Sequence, residues 1–405
     1  MKVENIKKID FWLGVPLCFL LTFFNLFKKA AELKKSAVSP VRKIAFIKLS
    51  ELGAIILSYP LISRVKKEHP QAALFFVTFR RNQGVFKLLN GIIPQENILA
   101  ARQALPAFFL DILRIIFRLR KEKIDMIFDL EFFSRASAIL AYLAGSKKRT
   151  GFYAYGYEGL YRGELLTHKA QYNPLRHISA NYLSLAEAAG QIGKNTPELE
   201  KNIGEKELVF PAYSAGDGIK EKVSTRLKNM GIEAGKNRVF LINPGEGILP
   251  LREWPVENFI ALSRLILEDK NNRIILVGTE SVTVKAGLVL EAVGKESCVS
   301  LADQTTLDEL LCLFNLADAL VSNDCGLGHL AMLSTISKVI IFGPESPQVF
   351  APLGKNTHIV YSDWPCSPCF SVLNHRNSSC RDNKCLKSIK PEAVYQRLKE
   401  SLKSG

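Results

Sequence analysis

Two polar side chains stand late in the chain at a turn suited to holding an anion. The pattern predicts a buried strand ending at Ser322, a tight turn, and a helix starting at Leu327. Such a turn offers backbone N–H groups and the positive end of a helix dipole, which suits a diphosphate. Asp324 and His329 would add an acceptor and a cation beside it. The alternative from the local pattern is that Asp324 caps the helix and His329 packs.

A second turn favours the diphosphate interpretation. Asn243-Pro244-Gly245 follows a predicted strand, and Arg252 stands just before Trp254-Pro255 at the start of a predicted helix. Together with the Asp-x-Gly-x-x-His stretch that begins at Asp324, these motifs resemble glycosyltransferase family 9, the ADP-heptose:lipopolysaccharide heptosyltransferase family. The resemblance runs from about Arg42 to the C-terminus.

That resemblance implies the GT-B fold, in which two Rossmann-like domains face each other across a ligand cleft. It implies an enzyme, an inverting glycosyltransferase. The donor would be a nucleotide sugar such as ADP-heptose, and the acceptor a glycolipid of the lipopolysaccharide type or another envelope glycan. No convincing Asp-x-Asp motif is present, so we expect catalysis to need no cofactor.

The later half of the chain would hold the donor. By resemblance Arg252 neutralises the diphosphate, whose negative charge grows as it leaves. Glu280 follows a predicted strand and would accept the ribose hydroxyls, as acidic residues do at Rossmann strand tips. Trp254 is predicted to pack beneath the loop, and Cys325 stands where the family usually has Thr or Ser. The complete predicted donor set is Asn243, Gly245, Arg252, Glu280, Asp324, Cys325, Gly326 and His329.

The catalytic base is the point at which the sequence departs from the family. The turn after the first predicted strand carries Ala54 where the family typically has the aspartate taken as the base. Glu51 lies one helical turn earlier and could replace it. The alternative is that Glu51 only complements the helix dipole. Asp129, with Glu131, is a further candidate at the end of another strand.

Basic residues around the first domain suit an acidic acceptor. Lys48 and Ser50 lie on the same turn as Glu51, and Arg135 begins the helix that follows the Asp129 strand. We expect these three side chains to contact a phosphorylated or carboxylated glycolipid core.

Four cysteines are grouped near the C-terminus. The spacing Cys366-x-x-Cys369, Cys380-x4-Cys385 fits a tetrahedral thiolate site, and many members of the family carry a similar cluster. We expect a structural clip, and a structural zinc ion is one way of closing it.

Residues 11–27 form an uncharged apolar run near the N-terminus. Residues 1–48 hold ten Lys or Arg and three Asp or Glu, so they contribute +7 of the net charge of +15. We prefer a short anchor that inserts into the inner-membrane surface over a buried domain helix or a signal peptide. The heavier basic flank follows the run, which predicts a catalytic body on the cytoplasmic face. We expect no nucleic-acid partner.

The predicted elements that position these residues form two successive sets of alternating strands and helices, which predicts an α/β fold. With 405 residues, 47% of them hydrophobic, the chain can bury two cores. Short apolar runs alternate with helical patterns, which predicts parallel sheets covered on both faces. We predict a membrane-associating segment at 1–41, an acceptor domain at 42–204, a donor domain at 205–390 and a C-terminal helix at 391–405.

Two other functions stay open. The first is a catalytically impaired GT-B protein that only binds glycans, because Ala54 replaces the family's aspartate. The second is an NAD-binding protein, because Gly326-x-Gly328-x-x-Ala331 follows a strand and Glu345 comes later.

Overall fold

The chain folds into two compact α/β units. A computed structural model describes residues 3–32, 40–154, 161–191, 202–233, 235–245 and 249–403. The division falls between Val209 and Phe210, whereas the sequence predicted it near residue 204. The N-terminal helices belong to unit 1, and the C-terminal helix belongs to unit 2. Parts of the predicted membrane segment, residues 1–2 and 33–39, lie outside the described residues.

Unit 1 contains a parallel sheet with the strand order β3-β2-β1-β4-β5-β6. In register, Ile47 pairs with both Val77 and Asp129, so the carboxyl ends of three central strands are level. The described strands are β1 Lys43–Ile47, β2 Ala73–Phe79, β3 Ile98–Ala101, β4 Met126–Asp129, β5 Lys148–Tyr153 and β6 His168–Gln171.

Helices cover the sheet of unit 1 because its strands are apolar on both faces. Ile115 and Leu119 of α6, with Leu140 and Ala141 of α7, bury one face against strand residues such as Ile127. The described helices are α1 Val3–Trp12, α2 Gly14–Glu32, α3 Leu52–Leu57, α4 Tyr59–Glu68, α5 Val85–Leu88, α6 Ala107–Glu122, α7 Arg135–Leu143 and α8 Ile178–Gly190.

Unit 2 repeats the same architecture with the strand order β12-β11-β10-β7-β8-β9, all parallel. The chain builds outward from β7 on one side and then returns to add β10 on the other. The carboxyl ends of β7 and β10 therefore form a topological switch point, where such sheets bind ligands. The described strands are β7 Arg238–Asn243, β8 Asn272–Leu276, β9 Cys298–Ser300, β10 Ala319–Asn323, β11 Ser337–Phe342 and β12 Thr357–Tyr361.

The core of unit 2 joins residues 254–266 to its C-terminal helix. Trp254, Phe259 and Leu262 pack with Val394 and Leu398 of the C-terminal helix. The described helices are α9 Asp217–Asn229, α10 Val256–Leu267, α11 Thr283–Val293, α12 Leu307–Leu316, α13 Gly326–Leu330, α14 Pro347–Phe350, α15 Lys384–Lys387 and α16 Pro391–Ser401.

The N-terminal helices dock on unit 1 through polar contacts. Asp10 accepts hydrogen bonds from Ser134 Oγ at 3.2 Å and Ala136 N at 2.9 Å, so it caps the start of α7. On α2, Thr22 Oγ1 accepts from Glu164 N at 2.8 Å. Gly163 has φ +63°, and a Cβ there would lie 2.8 Å from the backbone oxygen of Cys18.

One face of α2 is therefore buried while the other exposes apolar side chains. Cys18 and Asn25 are buried, whereas Phe23 and Phe24 are 54% and 61% exposed. Residues Lys8–Phe27 are long and apolar enough to cross a membrane, yet α2 is also partly a domain helix, the alternative to an anchor.

Local periodicity predicted most elements close to their observed bounds. The pattern from residue 54 to 67 predicts a single helix, but the structure divides it into α3 and α4 at Ser58, and helix α8 was not predicted. Pro60 lies at the start of α4, where its missing N–H costs nothing. Strands β3, β6 and β12 were not predicted, because they are short edge strands with weak apolar patterns.

Candidate functional site

The carboxyl ends of β7 and β10 are bonded to each other at the switch point of unit 2. Asn243 Nδ2 donates to Cys325 Sγ at 3.4 Å, and Asn243 Oδ1 accepts from Gly245 N at 3.0 Å. The backbone N of Trp254 donates to Asn323 Oδ1 at 2.9 Å. Trp254 is buried, as predicted. Two turns distant in sequence are thus held together by buried side chains.

Glycine is required at two of these turns. A Cβ on Gly245 or on Gly278 would lie 2.8 Å from a Val282 methyl group, closer than side chains pack. Gly278 also has φ +152°, which L-residues rarely adopt. Both turns can approach the same valine only because neither has a side chain, and this brings the β8 tip beside the β7 tip.

Arg252 lies between two buried carboxylates at this site. Its Nη1 is 3.3 Å from Asp324 Oδ2 and 3.6 Å from Glu345 Oε2. Asp324 is 3% exposed and Glu345 is 1% exposed. Buried carboxylates need a paired cation, so each fixes the guanidinium while being compensated by it. The predicted partners Arg252 and Asp324 therefore lie in one place.

A second arginine, which the sequence did not single out, reaches the same carboxylate. Arg376 Nε is 3.3 Å from Glu345 Oε2, and its guanidinium lies 4.9 Å from the centre of the Phe350 ring. Arg376 lies between Cys369 and Cys380, and the residues between these two cysteines carry no motif of their own. No local signal identifies it, because its partner Glu345 lies in the turn after β11.

The other predicted donor residues are distributed around this cluster. Cys325 and His329 are buried, and Ser322 Oγ lies 3.3 Å from Cys325 Sγ. Glu280 is exposed just beyond the end of β8, beside β7. The helix that begins at Gly326 is only five residues long, so its dipole contributes less than the sequence suggested. Positive charge here comes chiefly from arginine side chains.

The NAD alternative does not fit this geometry. It requires Glu345 to meet ribose hydroxyls, but that carboxylate is buried between Arg252 and Arg376.

In unit 1 the turn after β1 is fixed by Glu131. Its Oε2 accepts from Lys48 Nζ at 2.8 Å, and its Oε1 accepts from Leu49 N at 2.7 Å and Ser50 N at 3.3 Å. Lys48 is buried, with Nζ 4.9 Å from the Phe132 ring centre. The predicted acceptor contact of Lys48 is therefore replaced by a structural one, while Ser50 stays partly exposed.

Glu51 occupies the tip of this turn in an unusual backbone conformation. Its φ is +66° and its ψ is 100°, outside the common regions for a non-glycine residue. Its carbonyl accepts from Ala54 N at 3.1 Å and so begins α3. Glu51 is partly exposed, whereas Ala54 is buried. Strained residues held in this way are concentrated at functional sites, which keeps Glu51 as the candidate base.

Asp129, the other candidate base, is enclosed by the protein. It is 0% exposed, and its Oδ2 accepts from Arg162 Nη1 at 2.8 Å and Ser137 Oγ at 2.9 Å. Burial raises the pKa of the Asp129 carboxyl, and the Arg162 guanidinium opposes that shift. The Asp129 carboxylate therefore ties the end of β4 to α7 and to Arg162, which argues against the catalytic role predicted for it.

Arg135, predicted to bind acceptor, is also buried in the structure. Its Nη1 is 3.3 Å from Asp10 Oδ2, and its guanidinium lies 5.4 Å from the Phe11 ring centre. The side chain joins α7 to α1 because the docked N-terminal helices supply both a carboxylate and an aromatic ring.

The four clustered cysteines surround one cavity of about 410 Å³ in unit 2. Cys385 is buried and Cys366 is exposed, and all four are free thiols. Their thiols are the right donors for zinc, but within the described ranges no three His, Cys, Asp or Glu side chains are grouped closely enough to hold a metal. Structural zinc stays a prediction of the sequence.

Comparison with solved structures defines the class of fold. A family 9 glycosyltransferase from Veillonella parvula covers 92% of this chain and 100% of its own, with a TM-score of 0.72 and 15% identity. ADP-heptose lipopolysaccharide heptosyltransferase II of Escherichia coli covers 89% and 98%, with a TM-score of 0.66 and 21% identity. The fold is that of the GT-B glycosyltransferases, as predicted.

Sequence comparison defines the family. A model of Glycosyltransferase family 9 (heptosyltransferase) matches residues 112–378, so the chain belongs to that family. Lipopolysaccharide heptosyltransferase 2 of E. coli (strain K12) is 25% identical over 227 residues, 55% of this chain. The chain spans 61% of that relative's length and 56% of the length of lipooligosaccharide heptosyltransferase 2 from Campylobacter jejuni.

Proposed function

We propose that the protein is an inverting heptosyltransferase that uses an ADP-heptose-like donor and a lipopolysaccharide-type acceptor. The observation that carries this proposal is Arg252, a cation fixed by two buried carboxylates at the switch point of unit 2. A leaving nucleoside diphosphate gains negative charge, which a preorganised guanidinium stabilises. Family membership and the names of the relatives agree with this chemistry.

The proposed reaction needs one base and one diphosphate site. Glu51 removes the proton from an acceptor hydroxyl, and the oxygen of that hydroxyl attacks the anomeric carbon of the donor. The bond from that carbon to the diphosphate breaks, and the electron pair leaves with the diphosphate beside Arg252. Glu280 would hold the ribose. Because arginine supplies the positive charge, we propose that the transfer step requires no metal.

Replacing either donor-site residue is expected to weaken nucleoside diphosphate binding. Arg252→Ala removes the cation, and Asp324→Ala removes the carboxylate that orients it. We expect each to lower ADP affinity about 10- to 100-fold, the value of a charge-assisted contact. Isothermal titration calorimetry measures this directly, and a thermal-shift screen of ADP, UDP, GDP and CDP identifies the preferred nucleotide.

A suitable control for those substitutions is Arg264→Ala, which removes an exposed arginine from α10 in the same unit. Its affinity for ADP should equal that of the wild type. If Arg252→Ala and Asp324→Ala both retain full affinity, the donor site lies elsewhere.

A catalytically impaired glycan-binding protein is the second candidate. It is favoured by Ala54, which has no proton acceptor where the family typically has an aspartate and which is buried within α3. In that case the wild type would bind donor and acceptor but form no product.

We further propose that the N-terminal helices lie in the plane of the cytoplasmic face of the inner membrane. One face of α2 is docked on the domain, and the opposite face exposes several phenylalanines. On helix α6, Phe117 is 70% exposed. Both helices pack against α7. Exposed Lys8, Arg114 and Arg118 supply positive charge beside these apolar faces. This combination suits an interfacial helix on anionic lipid.

Introducing charge on the exposed face of α2 should weaken lipid binding. The double substitution Phe23→Asp, Phe24→Asp is expected to lower the fraction bound to anionic phosphatidylglycerol vesicles at least about tenfold, since two exposed phenyl groups that would enter the lipid are lost. Vesicle flotation measures the bound fraction. The matched control, Val284→Asp with Leu288→Asp, changes exposed apolar residues of α11 in unit 2. Equal flotation of both double variants would contradict the proposed membrane face.

A further inference from the structure

Two arginines from distant parts of unit 2 reach a single carboxylate oxygen. Arg252 precedes α10, and Arg376 belongs to the loop of residues 366–385, here called the cysteine loop. Arg252 Nη1 is 3.6 Å and Arg376 Nε is 3.3 Å from the same Glu345 Oε2. The two guanidinium groups therefore both lie within 3.6 Å of one atom, close enough to each other to contact the same small anion.

The cysteine loop is attached to both sides of the donor site. Phe370 N donates to Pro344 O at 2.7 Å, next to Glu345. Asn383 Nδ2 donates to Glu253 O at 2.8 Å, next to Arg252. These bonds fix the two ends of the loop on the elements that carry the arginine cluster.

The conformation of the loop directs Arg376 to this cluster. Arg376 and the preceding His375 have φ values of +54° and +52°, and Arg376 N donates to Ser371 O at 2.8 Å. The chain reverses here, and the Arg376 guanidinium packs over Phe350. A side chain held by a turn, a ring and a carboxylate is preorganised.

The number and geometry of the N–H donors, rather than net charge, favour an anion with more than one phosphate. Asp324 and Glu345 together balance Arg252 and Arg376 in charge. A guanidinium carries five N–H donors in a planar fork, so it can contact a carboxylate and a phosphate at the same time. One arginine suits one phosphate group, whereas a pair converging on one point suits the two phosphates of a diphosphate.

We propose that Arg376 is a second diphosphate-binding residue and that Glu345 sets the spacing of the two arginines. The cysteine loop then has a function beyond stability, because it carries one of the two cations. This inference rests on the proposed function, since it requires that unit 2 binds a nucleoside diphosphate.

The test compares inorganic pyrophosphate, ADP and AMP as ligands of the full-length chain. Arg376→Ala is expected to lower affinity for ADP and pyrophosphate about 10- to 100-fold, and to lower affinity for AMP much less. Arg376→Lys keeps the charge but loses the fork, so we expect an intermediate loss. Arg381→Ala, which removes an exposed arginine of the same loop, should bind all three ligands as the wild type does.

The outcomes separate this inference from the proposed function. If the wild type binds neither ADP nor pyrophosphate, the proposed function fails. If the wild type binds both and Arg376→Ala and Arg376→Lys bind them equally well, only the role of Arg376 is overturned. An equal loss for AMP and ADP in a variant with a lowered melting temperature would mean that Arg376 acts through folding, which also overturns the inference.

Discussion

Glu51→Gln is expected to lower the rate of sugar transfer about 10²- to 10⁴-fold, the usual contribution of a general base. Glutamine keeps the size and hydrogen-bonding capacity of the side chain but cannot accept the acceptor's proton at neutral pH. Donor affinity should not change, because the donor residues are in unit 2. Initial rates of product formation, with ADP binding measured in parallel, separate the two effects.

A control variant and a rescue variant distinguish loss of the base from a general loss of activity. Glu96→Gln changes an exposed carboxylate in another loop of unit 1 and should keep full activity. Adding Ala54→Asp to Glu51→Gln returns a carboxylate to the position that the family typically uses, and we expect it to restore part of the rate. Full activity in Glu51→Gln would remove this residue as the base. A wild type that forms no product, together with an active Ala54→Asp variant, would favour the impaired alternative.

Arg162→Met is expected to lower the free energy of unfolding by about 3–5 kcal/mol. The substitution leaves Asp129 ionised or protonated in an enclosed site without its guanidinium partner, and both states cost energy there. Arg162 Nη1 also donates to Ser134 O at 3.2 Å, so the ends of α7 and β4 lose a common partner. Urea unfolding followed by circular dichroism measures the loss.

A double-mutant cycle identifies the cause of that loss. Asp129→Asn combined with Arg162→Met removes both charges and should be less destabilising than Arg162→Met alone. Arg118→Met breaks an exposed i,i+4 ion pair with Glu122 and is expected to cost at most about 1 kcal/mol. If Arg162→Met costs no more than Arg118→Met, the buried pair does not organise the carboxyl end of the unit 1 sheet.

The strand-turn-helix units could be predicted because the residues that define them are adjacent in the sequence. An apolar run followed by a turn and a helical period determines where a residue such as Asp324 or Glu51 stands on its own element. Parallel pairing then brings strand tips to one edge, and the resemblance to the family added the expectation that Arg252 shares a site with Asp324. The positive φ of Glu51 had no such signal, because Glu131, which accepts from the backbone of Leu49 and Ser50, comes from a distant part of the sequence.

Pairing partners were beyond what the sequence could show. Lys48 and Arg135 look like surface cations in the sequence, yet both are buried in the structure. Lys48 pairs with Glu131, and Arg135 pairs with Asp10, which lies 125 residues away in the sequence. A lone arginine in a cysteine-rich loop does not indicate a phosphate site in the sequence. Arg376 becomes a candidate only because Glu345 places it beside Arg252. The energetic role of a charge depends on its surroundings, which are assembled from several elements.

The sequence by itself determined the family, the two α/β series, the turns at Asp324 and Glu51 and the apolar N-terminal run, because each depends on neighbours within one element. The tertiary structure decided which charged side chains are grouped at the candidate donor site and which are buried in ion pairs that hold elements of unit 1 together. It showed that Asp129 belongs to the second group and that Arg376 joins Arg252. The physical reason is that burial and ion pairing are properties of contacts between elements, and only the folded chain fixes those contacts.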